Sequence, residues 1–75
     1  MSEQVISELF KKADISKGVK IKIYDYSESF QIFTDKAEIK EGYVYFYKDE
    51  KLIKTVPINL IRRIDIYKSE GNKNE

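Results

Sequence analysis

Residues 29–40 read Ser29-Phe30-Gln31-Ile32-Phe33-Thr34-Asp35-Lys36-Ala37-Glu38-Ile39-Lys40, and the phase of this run decides the fold. Side chains of an extended chain alternate between two faces. Phe30 and Ile32 put the inward positions on even numbers, whereas Ala37 and Ile39 put them on odd ones. A period of two cannot change parity without an extra residue, so a bulge or bend is expected around Asp35-Lys36. A strand bent there lets a small sheet curl on itself.

The same alternation extends in both directions. Upstream, Val19, Ile21 and Ile23 alternate with Lys20, Lys22, Tyr24 and Tyr26, which predicts a strand over 19–26. Asp25-Tyr26-Ser27-Glu28 supplies the turn into the second strand. Downstream, Glu41-Gly42 makes a break, and Val44 and Phe46 then alternate with Tyr43, Tyr45 and Tyr47 over 43–48. Asp49-Glu50 is a tight polar turn into a strand over 51–56. Pro57 has no N–H to give a ladder and ends that strand or sits at its edge. Pro57-Ile58-Asn59-Leu60 reads as a short helical turn, and Ile61, Ile64 and Ile66 drive a last strand over 62–68.

Before the strands, residues 2–14 carry Val5, Ile6, Leu9, Phe10 and Ala13 on one helical stripe, with Ser2 placed to cap the first turn and Glu3 near the positive end of the dipole. Ile15 is expected to tuck under the helix end. Residues 69–75 have no apolar anchor and are expected to be disordered, which leaves one domain over 1–68.

The expected architecture is therefore α+β and mainly β: an N-terminal helix, then a five-stranded antiparallel and strongly bent sheet closing as a small barrel. The order of elements, with a one-turn helix before the last strand, resembles that of SH3-like and Sm-like barrels. That resemblance is topological and implies a fold, not a function. The Asp, Asn and Gly signature of Sm-like RNA-binding loops has no match here. The expected core is Val5, Ile6, Leu9, Phe10, Val19, Ile21, Ile23, Phe30, Ile32, Val44, Phe46, Leu52 or Ile53, Val56, Ile61, Ile64 and Ile66.

Composition narrows the function classes. A chain of 75 residues buries only about 60% of its unfolded surface and needs a tight core or a partner subunit. It has no cysteine and no histidine, hence no disulfide and no conventional zinc site. No stretch approaches the roughly 20 apolar residues of a membrane span, and the polar N-terminus has no signal-peptide pattern, so the expected location is cytoplasmic. Lys/Glu enrichment matches the hyperthermophile trend, and codon bias in an AT-rich genome yields the same composition. Residues 17–68 hold eleven Lys/Arg against eight Asp/Glu, a net of +3, while the whole chain sums to +1. That is weaker than the field of a protein built to coat duplex nucleic acid.

Catalysis is not expected. Neither histidine nor cysteine is present, the serines have no motif that pairs them with a base, and the glycines stand singly at Gly18, Gly42 and Gly71. Asp49 with Glu50, or Asp35 with Glu38 and Glu41, would offer carboxylates to a metal, but both groups fall at predicted turns where acids are common. No cofactor is expected.

The outward Tyr/Lys face is the candidate site. Lys20, Lys22, Tyr24, Tyr26, Tyr43, Tyr45 and Tyr47, taken as one surface and extended by Arg62 and Arg63, would let cations meet phosphates while rings stack on the bases of DNA or RNA. Two plainer explanations stand beside this one. The first is that tyrosine favours strands for packing alone, and the second is that one arginine of Arg62-Arg63 merely flanks Asp65 or caps the helical turn. The alternative function is a protein-interaction or homo-oligomerising module, motivated by a marginal core and by sheet edges able to pair between subunits.

Overall fold

A computed structural model describes residues 1–68. The predicted disorder of 69–75 lies outside the described residues. Helix α1 spans Glu3–Ala13, followed by strands β1 Val19–Tyr24, β2 Ser29–Thr34, β3 Lys36–Lys40, β4 Tyr43–Lys48, β5 Lys51–Pro57 and β6 Arg63–Lys68. One-turn 3-10 helices lie at Ile15–Lys17 and Ile58–Leu60.

The expectation of five strands closing as an SH3-like or Sm-like barrel is corrected on two points. Six strands form two separate three-stranded antiparallel sheets, ordered β2-β1-β6 and β3-β4-β5, and the described residues form no closed barrel. The strand count changes at the bend the sequence located. Thr34 pairs with Val19 in the first sheet, whereas Lys36 pairs with Tyr47 in the second. The single bent strand is thus two strands in different ladders, with Asp35 as the corner.

Thr34 holds that corner. It is fully buried, and its hydroxyl hydrogen is shared between the carbonyls of Tyr47 (2.6 Å) and Lys36 (2.9 Å), while the Asp35 N–H also donates to Tyr47 at 3.0 Å. A buried hydroxyl without such an acceptor would be costly, which explains why a polar residue can end an inward-facing row. The opposite corner lacks a ladder. Pro57 has no N–H, and the Ile58–Leu60 turn carries the chain around before β6 starts, with Ile58 N–H donating to Gly42 and Arg62 N–H to Tyr24. The β5 and β6 edges therefore do not pair with each other.

The core lies between the two sheets. Val19, Ile21 and Ile23 from β1 meet Val44 and Phe46 from β4, with Ile64, Val56, Ile61, Ile58 and Ile15 completing the buried cluster. Leu9, Phe10, Phe30, Ile32 and Ile66 pack against it half-buried. Within α1 only Ile6 is fully buried, and Phe10 meets Phe46 edge-on at 5.9 Å between ring centroids. The Ser2 hydroxyl accepts the Val5 N–H, and the N-terminal ammonium of Met1 donates to the Ile61 carbonyl at 2.7 Å.

Three expected core residues lie outside. Val5 is on the half-exposed flank of the helix, because Ile6 rather than Val5 is aimed at the sheets. Leu52 and Ile53 remain 54% and 44% exposed. Their displacement follows from register: Phe46 pairs with Lys54 but Tyr47 pairs with Leu52, which leaves Ile53 as the extra residue of a bulge and turns Leu52 onto the outer face. Lys54 takes the inward position and lays its ammonium 4.7 Å from the centroid of Phe30, an amphipathic cover for a half-buried ring.

Two hairpins close with two-residue turns, Glu41-Gly42 and Asp49-Glu50, in which all four residues have positive φ. This backbone matches the right-handed twist of the flanking strands, and glycine adopts it at no steric cost in the first of them. The β1–β2 connection is different. Asp25 Oδ1 accepts the backbone N–H groups of Ser27 (2.8 Å) and Glu28 (2.7 Å), and these two contacts, Glu28 foremost, hold its carboxyl below the ordinary value of 3.8. A lowered folded-state pKa contributes stability that is complete above 3.8 and lost as pH falls through the folded value. The stability difference between the wild type and Asp25→Ala, from urea unfolding at a series of pH values, is therefore expected to be constant near neutrality and to shrink on acidification below that point. A difference that stays constant to the acid limit would contradict this role.

Candidate nucleic-acid interface

Alternation puts the even-numbered side chains of β1 and β3 and the odd-numbered ones of β2, β4 and β6 on the outside, and antiparallel pairing assembles them into rows. On the β2-β1-β6 sheet the rows across the strands are Phe33-Lys20-Tyr67, Gln31-Lys22-Asp65 and Ser29-Tyr24-Arg63. Lys20 sits 5.5 Å from the Tyr67 centroid, while Lys22 and Arg63 lie 5.2 and 5.3 Å from that of Tyr24. Asp65 is engaged from two sides, by the Tyr24 hydroxyl at 3.2 Å and by Arg63 Nε at 3.0 Å. The hydrogen bond and charge of Asp65 push the Arg63 guanidinium still further above its ordinary range, so it is a fixed cation. At the end of this sheet Arg62 lies 5.4 Å from the ring of Tyr26, which projects from the β1–β2 turn.

The second sheet carries the other tyrosines. Its outer rows are Lys40-Tyr43-Pro57, Glu38-Tyr45-Thr55 and Lys36-Tyr47-Leu52. Tyr43 and Tyr45 tilt against each other at 6.4 Å, Lys40 lies 5.9 Å from the Tyr45 centroid and Lys36 5.3 Å from that of Tyr47. The Tyr47 hydroxyl donates to Glu38 Oε1 at 3.3 Å, and Lys36 pairs with the same carboxylate at 3.4 Å. Partial desolvation first, and then the Glu38 charge, push the Tyr47 pKa up, so this hydroxyl stays protonated and keeps donating.

The inward faces of the sheets share one core, so their outward faces look in opposite directions. The expected surface is thus divided. Lys20, Lys22, Tyr24 and Arg63 come together on one face, with Tyr26 and Arg62 at its end. Tyr43, Tyr45 and Tyr47 stand on the other.

Two residues of the first face escaped the sequence reading. Phe33, 62% exposed, and Tyr67, 45% exposed, flank Lys20 on its two sides. Their odd parity in strands with even-numbered inward residues was the available signal. Together they set exposed ring surface on both sides of one cation.

The carboxylates considered for a metal do not converge. Asp35 accepts the Asp49 N–H at 3.2 Å and stands 3.9 Å from Lys48, and Glu38 belongs to the Tyr47 contact. Among the described residues no group of three or more acidic side chains is placed to hold a metal ion, and no helix is long and apolar enough to cross a membrane. No protein-family model matches the chain, and no curated protein or solved structure gives a significant match to it.

Proposed function

We propose that this chain is a non-enzymatic nucleic-acid-binding module that takes its ligand on the outward face of the β2-β1-β6 sheet. One observation carries the reading: Lys20 and Lys22 run down the middle of a face bordered by exposed rings, with Arg63 and Arg62 at one end. The carboxylate on that face, Asp65, is already held by Tyr24 and Arg63, so it opposes an approaching phosphate less than a free acid would. Asp25, at the same end, is occupied by turn amides. The opposite face is the weaker candidate, because its outer rows set only Lys36 and Lys40 against Glu38, whereas the first face sets Lys20, Lys22 and Arg63 against Asp65. A cytoplasmic setting belongs to this reading and rests on the cysteine-free sequence.

Titration of a labelled oligonucleotide by fluorescence anisotropy from low to moderate salt tests it. Three to four phosphate contacts predict a log–log salt slope of about −2 to −3 for a single strand, and Lys20→Gln is expected to make it shallower by roughly 0.7. Absence of binding at low salt would refute the proposal. A self-associating module is the second reading, favoured by the exposed Leu52 and Ile53 on the unpaired β5 edge. Light scattering on the same samples separates the two, since a strict monomer removes it.

A further inference from the structure

Resting on that reading, we infer that the Phe33-Lys20-Tyr67 row is a two-base stacking site that selects single-stranded over duplex nucleic acid. The row is fixed by register: Lys20 is the direct partner of both Phe33 on β2 and Tyr67 on β6. Neighbouring strands lie about 4.8 Å apart, so the two ring-bearing positions are separated by roughly 10 Å across β1. Bases in a duplex follow each other every ~3.4 Å along a strand and are closed to a flat protein face. Such a ligand would present only phosphates here and leave both rings unused. A single strand can instead splay two bases apart, one on Phe33 and one on Tyr67.

Lys20 stands between them. Its ammonium rests over the Tyr67 ring, 5.5 Å from the centroid, so a base stacking there would displace it towards the phosphate that links the two bases. The ring exposures fit this division of labour: Phe33 and Tyr67 are open to solvent, whereas Tyr24 is half-buried beneath Lys22 and Arg63 and bonded to Asp65. Tyr24 therefore organises the cations, and the outer pair offers the stacking surfaces. Stacking tolerates any base, so the site reads strandedness and not sequence.

The test compares a labelled oligothymidine about 10 nucleotides long with a duplex of equal length at low salt. The proteins are the wild type, Phe33→Leu, Tyr67→Leu, Tyr67→Phe and Lys20→Gln. Leucine keeps an apolar side chain and removes the ring, and thermal unfolding checks that each variant is folded. The oligothymidine is expected to bind more tightly than the duplex. Phe33→Leu and Tyr67→Leu should each weaken its binding by roughly fivefold or more with the salt slope unchanged, and Tyr67→Phe should restore it. If both leucine variants bind like the wild type while Lys20→Gln weakens binding, the stacking site is wrong and phosphate binding by this face stands. A duplex that binds as tightly as the single strand also overturns the inference. Failure of both probes to bind the wild type removes this inference and the proposed function together.

Discussion

Replacing Phe46 with alanine is expected to lower the unfolding free energy by about 3–5 kcal/mol, the range for truncating a buried phenylalanine. Phe46 is fully buried on β4 and lies edge-on to Phe10, so its ring fills the space where α1 meets the second sheet. The sheets on either side are tied by their own ladders and cannot collapse fully into the vacated volume. A chain of 75 residues has a total stability of roughly 4–11 kcal/mol, so this one change removes a large share of it. Urea unfolding followed by far-UV circular dichroism measures the loss. Phe46→Leu, which keeps most of the volume, should cost less than about 1.5 kcal/mol. A deficit under about 1 kcal/mol for the alanine variant would contradict the placement of this ring in the core.

The alternation that buries Phe46 was legible because period-two patterning states which side of its own strand a residue occupies. Val19, Ile21, Ile23, Val44 and Phe46 are inward on that ground, and all are buried. The slip between Thr34 and Ala37 likewise located the corner at Asp35. What parity cannot supply is the identity of the sheet. Val44 and Ile21 enter one buried cluster from different sheets, so Tyr45 and Lys22 point apart, and the single surface expected from the sequence is divided in two.

Register was the second hidden quantity. Leu52 and Ile53 carry the residue types of an inward strand, but the bulge opposite Phe46 and Tyr47 depends on cross-strand pairing and leaves no local mark. Register also hid the most exposed part of the candidate site. Phe33 and Tyr67 are 34 positions apart in sequence, and only their shared partner Lys20 puts them in one row.

The second large effect is expected at Ile6, where alanine should cost about 2–5 kcal/mol. Ile6 is the one fully buried side chain of α1, while Leu9, Phe10 and Ala13 are partly covered. Because α1 lies on one flank of the core, its loss as a local event would leave the sheets intact. The packing argues otherwise. Phe10 shields Phe46, and the Met1 ammonium is bonded to the carbonyl of Ile61, a buried residue of the β5–β6 corner. Undocking the helix would therefore open to water the interior that joins the two sheets, which share no ladder of their own. Ile6→Ala is accordingly expected to lower hydrogen-exchange protection in β1 and β4 by the same free energy as in α1, as one cooperative unit. Loss confined to the helix amides, with the strands as protected as in the wild type, would show that the sheets hold each other without it.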